Sequence, residues 1–206
     1  DNCPVDQEHG KDYVSIVSAD NYGNGAVAAD IMAKALGGKG NIGVIFHDAK
    51  YFVTNQRVEA FEKTIKDKYP DIKILDRGGF DDPNQVGDIA DAMFVRSPEL
   101  NGIFANWDVP AEAVVSSAIA MGRDDIVVTT IDLGDNVGRI IAQGGLVKGL
   151  GAQLPYDQGI AEATLAAYAL LGKECPPYVA VPALPVTQEN ILDAYKQVYH
   201  KDAPGW

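Results

Sequence analysis

Residues 42–46 (IGVIF), 54–68 (TNQRVEAFEKTIKDK) and 72–75 (IKIL) decide the fold. The first and third are short apolar runs. The middle one places Val58, Phe61 and Ile65 on one helical face and its charges on the other. Strand, helix, strand at this spacing is a βαβ unit, which requires a parallel sheet. The pattern extends in both directions. Upstream, 13–18 (YVSIVS) reads as a strand and 24–36 as a helix stopped by Gly37-Gly38. Downstream, helices are expected at 83–95, 110–121, 136–143, 157–171 and 188–199, alternating with strands at 102–105, 126–131 and 147–152. Residues 178–182 read as extended, within a proline-rich boundary at 173–185. The strands are almost continuously apolar, as when helices cover both faces. The fold class is therefore α/β, a doubly wound parallel sheet.

Composition narrows the function. The 206 residues are 47% hydrophobic and 22% charged, which is ordinary for a globular chain. Seventeen Lys and Arg stand against 29 Asp and Glu, a formal net charge of -12. Such a surface repels phosphate backbones and anionic lipid, so no nucleic-acid partner is expected. No apolar run reaches the ~18–20 residues that span a bilayer. The chain opens DNCPVDQEHG, without Met, a basic n-region or an apolar h-region, so an upstream segment is expected to have been removed. Cys3 and Cys175 are too few for a structural zinc site. They could pair as a staple in an oxidising compartment or stand as two unrelated residues.

Ligands of open α/β sheets sit at the carboxyl ends of the strands. The residues following the strands are Ala19, Asp20 and Asn21; His47 and Asp48; Gly79 and Phe80; Asn106, Trp107 and Asp108; Asp132; and Gln153. They are mainly carboxylates, amides and aromatics, with no Ser, Cys or Lys beside a base. There is no G-x-S-x-G elbow, and the glycine clusters lack phosphate-loop order, so helix capping explains them. His47 and Asp48 are adjacent on an extended stretch, so their side chains diverge and make a poor metal pair. No catalytic or metal residue is assigned, and no cofactor is expected. The set suits a neutral, multiply hydroxylated ligand. Carboxylates and amides each hold two hydroxyls, Arg57 offers a planar fork, and aromatic faces meet ring C–H bonds. Thr54 as N-cap would place Arg57 at N3, near the strand ends. Phe80 and Trp107 could be core, but their polar neighbours favour an exposed cleft position for both rings.

An ordered series of motifs carries a resemblance. These are Ser18-Ala19-Asp20-Asn21, Asn55-Gln56-Arg57 leading to Phe61, Phe80-Asp81, 103–108 (IFANWD), Thr130-Ile131-Asp132 and Ala152-Gln153-Leu154-Pro155. Over residues 1–190 the chain resembles the periplasmic binding protein type I family, most closely the ribose-binding-protein-like sugar-binding components of bacterial ABC importers. The resemblance implies that Arg57, Phe80, Asp132 and Gln153 contact a sugar, with Asp1 from the end of the first lobe. Ala19 replaces a serine, Trp107 (beside Asp108) an asparagine, and Asp48 a small apolar residue. These changes put ribose in doubt but keep a monosaccharide, pentose or hexose.

The implied function is the solute-binding component of an ABC importer, periplasmic and not an enzyme. It closes two lobes on the sugar and is read by the permease subunits. The implied organisation is the end of the N-terminal lobe and hinge at 1–18, a sugar-binding C-terminal lobe at 19–152, a crossover returning to the N-terminal lobe at 153–182, and a C-terminal crossover, final helix and tail at 183–206. Most of the N-terminal lobe would then be missing from this chain, leaving an apolar surface at 154–171 and 178–182. The effector-sensing domain of a lac-repressor-like transcription regulator shares this fold and is the alternative. A basic helix-turn-helix upstream would mark it.

Overall fold

Val127–Ile131 (β5) is buried at every position, as is Gly102–Ala105 (β4). Strands this apolar need cover on both faces, and helices provide it. The computed structural model describes residues 4–206. The chain runs through β1 (Ile16–Ala19), α1 (Asn21–Ala35), β2 (Gly40–His47), α2 (Phe52–Lys68) and β3 (Ile72–Phe80). It continues through α3 (Val86–Arg96), β4, α4 (Asp108–Ala120), β5, α5 (Asp135–Ala142) and β6 (Val147–Ala152). It ends with α6 (Pro155–Leu170), β7 (Tyr178–Val181), β8 (Leu184–Thr187) and α7 (Ile191–Tyr199).

Six strands form one sheet in the order β3-β2-β4-β5-β6-β8. All neighbours are parallel except β8, which runs antiparallel to β6. On one face, Ala28 and Met32 of α1 and Phe61 and Ile65 of α2 pack against Ile42, Val44 and Phe104. The Phe61 and Phe104 rings stack 4.0 Å apart. On the other face, Met93, Val114, Val137 and Tyr195 from α3, α4, α5 and α7 pack against Ile45, Ile103, Val128 and Leu150. The sheet is doubly wound. From β2 the chain steps outward to β3, then returns past β2 to β4, so the crevice lies at the carboxyl ends of β2 and β4.

Several boundaries differ from the sequence expectation. α2 begins at Phe52 after Tyr51, so Thr54 lies inside the first turn and its hydroxyl donates to the Tyr51 carbonyl. Arg57 is therefore in the second turn, not at N3. α1 begins at Asn21, where the Asp20 carboxylate accepts from Gly23 N at 2.7 Å. Gly25 is not a capping residue: a Cβ there would lie 2.1 Å from the Arg57 carbonyl oxygen, so it permits the close crossing of α1 and α2. Gly37 and Gly38 do end α1, both at positive φ. No strand was expected at β8, which begins inside the proline-rich boundary at 173–185 and contains Pro185. It is an edge strand, where a missing N–H is tolerated. The Asn190 side chain accepts from Thr187 N and donates to the Pro185 carbonyl, which holds the turn and delays α7 to Ile191.

β1 and β7 form a separate two-stranded parallel sheet. α6 packs beside it, yet among its residues only Leu165 is buried. Ile160, Tyr168 and Leu170 are exposed, as is Leu171 just beyond the helix.

Candidate functional site

The carboxyl edge of the sheet gathers Arg57, Asp132 and Gln153 from three different elements. Arg57 is 3% exposed and cannot remain there unpaired. Its Nη1 donates to Asp132 Oδ2 at 2.9 Å and to the Asn106 carbonyl at 3.2 Å. Its Nη2 reaches Asp132 Oδ1 at 3.4 Å, giving the two-pronged pairing characteristic of guanidinium and carboxylate. Its Nε donates to Asn21 Oδ1 at 3.1 Å. Gln153 Nε2 donates to Asp132 Oδ1 at 2.5 Å. Asp132 follows β5 at φ 71, in the left-handed region that Asp tolerates better than most residues. The Asp132 carboxylate is about a quarter exposed, so it is open to a ligand while anchored from behind.

An open recess of about 180 Å³ adjoins this group, lined by Asp132, Leu133, Gln153, Pro155, Val198 and Tyr199. A larger hollow, about 600 Å³, lies elsewhere, between residues 9–14 and 169–175. The smaller recess is the one lined by the carboxylate and the amide of this group, with the Arg57 guanidinium bonded to that carboxylate. Tyr199 donates its hydroxyl to the Leu133 carbonyl. Burial, together with Asp135, Asp108 and Asp132, pushes its phenol up.

Aromatic rings cluster at the ends of β2, β3 and β4. His47 stacks on Tyr51 at 5.2 Å, and Trp107 meets it edge-on at 5.5 Å. Phe80 packs against both His47 and Trp107, at 5.6 and 5.1 Å. Phe80 is only 1% exposed, so the expectation of an exposed ring fails. The acids after it mark a cap instead: Asp82 accepts from Asn84 N, at the start of the short turn 83–85. Trp107 and His47 are half-buried, and Tyr51 is exposed.

The remaining expected residues are more scattered. Ala19 is buried at the end of β1, and its carbonyl accepts from Asn21 Nδ2. Asp48 is exposed, and its backbone N–H donates to the Phe80 carbonyl. Asp108, the first residue of α4, is half-buried. Burial first, and then the charge on Asp132, push its carboxyl up to about 6. Asp1 and Cys3 lie outside the described residues. Cys175 is half-buried, its Sγ 3.5 Å from the Leu165 carbonyl. Among the described residues, no three His, Cys, Asp or Glu side chains converge as a metal site requires.

A family model described as periplasmic binding protein domain matches residues 5–174. The chain belongs to this family. No curated protein matches the chain. Solved structures do. The periplasmic binding protein domain superposes with TM-score 0.82 on an ABC transporter periplasmic solute binding protein from Actinobacillus succinogenes, which holds D-allose. Identity is 25% over 87% of this chain and 64% of that one. A solute binding protein from Agrobacterium vitis bound with α-D-tagatopyranose gives TM-score 0.83 and 24% identity, over 97% of this chain and 66% of that one. An arabinose binding protein from Geobacillus stearothermophilus gives 0.81 and 20%, over 88% and 66%. The chain thus spans just under two thirds of the length of these neighbours.

Sequence reasoning passed over Tyr51 and Tyr199 at this domain's edge, and the contacts that Asn21 and Asn106 make to Arg57. Asn21 was visible within Ser18-Ala19-Asp20-Asn21, but not its bond to Arg57. The buried Asn106 contributes its backbone carbonyl, which no side-chain motif announces. Tyr51 was hidden by placing the helix start too late. Tyr199 arrives from α7, more than sixty residues after Leu133, and nothing local signals that contact.

Proposed function

We propose that this periplasmic binding protein domain is the sugar-binding part of an ABC importer's solute-binding component, for a pentose or hexose. The single observation that carries the reading is the Arg57–Asp132–Gln153 group. It presents a planar donor fork, a carboxylate and an amide side by side at the strand ends. A vicinal pair of hydroxyls donates to a carboxylate and accepts from a guanidinium or amide, so the group matches a polyol. Trp107 supplies an apolar face for the ring C–H side. The sugars held by the structural neighbours, D-allose and α-D-tagatopyranose, support the same ligand class.

In this reading, residues 19–152 are the sugar-binding lobe, 1–18 the end of the other lobe and hinge, and 153–182 the crossover back to it. Residues 183–206 form the last crossover and helix. The lobes close over the sugar, and the closed form is what the permease subunits recognise in the periplasm. No chemical step is assigned, since the edge pairs no nucleophile with a base. Asp1, Ala19, Asp48, Arg57, Phe80, Trp107, Asp108, Asp132 and Gln153 are the proposed contacts. For Phe80 to take part, His47 or Trp107 must shift aside.

Calorimetric titration against pentoses and hexoses, with an amino acid and a nucleoside alongside, tests the reading. Saturable binding of at least one monosaccharide is expected. Binding of only the amino acid or the nucleoside contradicts it.

A further inference from the structure

Asn21 is 1% exposed, and every polar function of its side chain is committed. Nδ2 donates to Ser18 Oγ at 3.2 Å and to the Ala19 carbonyl at 3.1 Å. Oδ1 accepts from Arg57 Nε at 3.1 Å. Both donor bonds end on β1, which is paired with β7 through Ser18–Ala180 and Ala19–Val181. Asp20 N adds a bond to the Val181 carbonyl at 2.8 Å. The other partners of the guanidinium, Asp132 and the Asn106 carbonyl, belong to the carboxyl edge of the main sheet. Asn21 is therefore the partner that leads from Arg57 to the small β1–β7 sheet.

We infer that Asn21 is the positioning residue for Arg57, and that its amide transmits the placement of β1 and β7 to the plane of the guanidinium. This rests on the reading of the edge as a sugar site. The physical case is geometric. Asp132 and Asn106 hold the Nη side of the fork, and Asn21 holds the Nε side. A planar group bonded on both sides cannot tilt unless one side yields. Gly25 seats α1 directly on the Arg57 backbone, so the root of the side chain moves with α1. A shift of β1 and β7 against the main sheet then changes the guanidinium angle, and with it the fit to ligand hydroxyls. Arg57 is thereby a reporter of strand position as well as a binding group.

The test uses two substitutions and two readouts in the full chain. Asn21→Ala removes both links, whereas Asn21→Asp keeps an acceptor for Arg57 Nε and loses the donors to β1. Hydrogen exchange of the Arg57 Nε proton by NMR reads the link without any ligand. Calorimetry reads sugar affinity. Asn21→Ala is expected to speed the Nε exchange and to weaken sugar binding by about tenfold, the scale of one bond to a charged group. In an Arg57→Lys background, the same substitution should cost less than about twofold more, because its effect runs through the guanidinium. Asn21→Asp should keep the proton protected while still lowering affinity. It carries the test if Asn21→Ala does not fold: unchanged affinity in Asn21→Asp overturns the link to β1. Unchanged Nε exchange in Asn21→Ala, or an equal affinity loss in the Arg57→Lys background, overturns the inference. If the parent chain takes no sugar, the sugar reading fails, and the Nε exchange alone still decides whether Asn21 holds Arg57.

Discussion

Asp108 illustrates what single residues contribute at this edge. Its carboxyl rises from 3.8 to about 6, first because it is desolvated and then because Asp132 and Glu112 repel its charge. In the unfolded chain it titrates near its ordinary value. Between about pH 4 and 6 the folded form therefore binds more protons, and this group adds stability as pH falls. Above about pH 6 it is ionised in both states, and its buried charge weakens the fold. Asp108→Asn should raise the thermal midpoint at pH 7–8, with the gain shrinking towards pH 4. A pH-independent difference would contradict this. The same scale shows what a sequence can reveal. Asp132 and Gln153 were singled out as residues after strands, whereas Arg57 was expected at N3 of α2 and reaches Asp132 from the second turn instead. Phe80 was misread because Asp81 and Asp82 looked like a polar cleft, whereas Asp82 serves a local cap. Tyr199 was invisible because its contact to Leu133 is made by tertiary folding alone.

Elements were easier to read than their ends. Apolar period and glycine stops located the helices and six of the strands. The start of α2 was missed because Thr54 is a better capping residue than Tyr51, yet the helix begins two residues earlier, at Phe52, without a side-chain cap from Tyr51. β8 was missed because its start was read as part of a proline-rich boundary, and the open edge beside β6 accommodates Pro185. Gly25 gives the most direct test at this scale. In an exposed helix, Gly→Ala stabilises by roughly 0.8–1 kcal/mol. Here the new methyl would sit 2.1 Å from the Arg57 carbonyl oxygen and 3.0 Å from Ala60 Cβ. Gly25→Ala should therefore destabilise by about 1–3 kcal/mol in urea unfolding, reversing the usual sign. A stabilised variant would mean that α1 and α2 are not in close contact.

At the scale of the molecule, the six-stranded sheet and the β1–β7 pair differ in their support. The large sheet is covered on both faces. The pair leans on α6, whose outer surface shows Ile160, Tyr168 and Leu170 to solvent. Two strands with so little cover are marginal, so amides of β1 and β7 should exchange much faster than those of β4 and β5. Equal protection would contradict the picture of a lightly held crossing. The doubly wound architecture was legible from the βαβ rhythm alone. The separation of β1 and β7 from the main sheet was not, because strand runs carry no label of the sheet they join.

The central claim is that the guanidinium of Arg57, backed by Asp132 and Gln153, is the heart of a monosaccharide site. Calorimetric titration of the parent chain and of Arg57→Ala with the same sugar tests it most directly. Saturable binding that weakens by ~2–4 kcal/mol in the variant is expected, since removing one member of a buried charged pair strands the other. A sugar affinity unchanged by Arg57→Ala would contradict it.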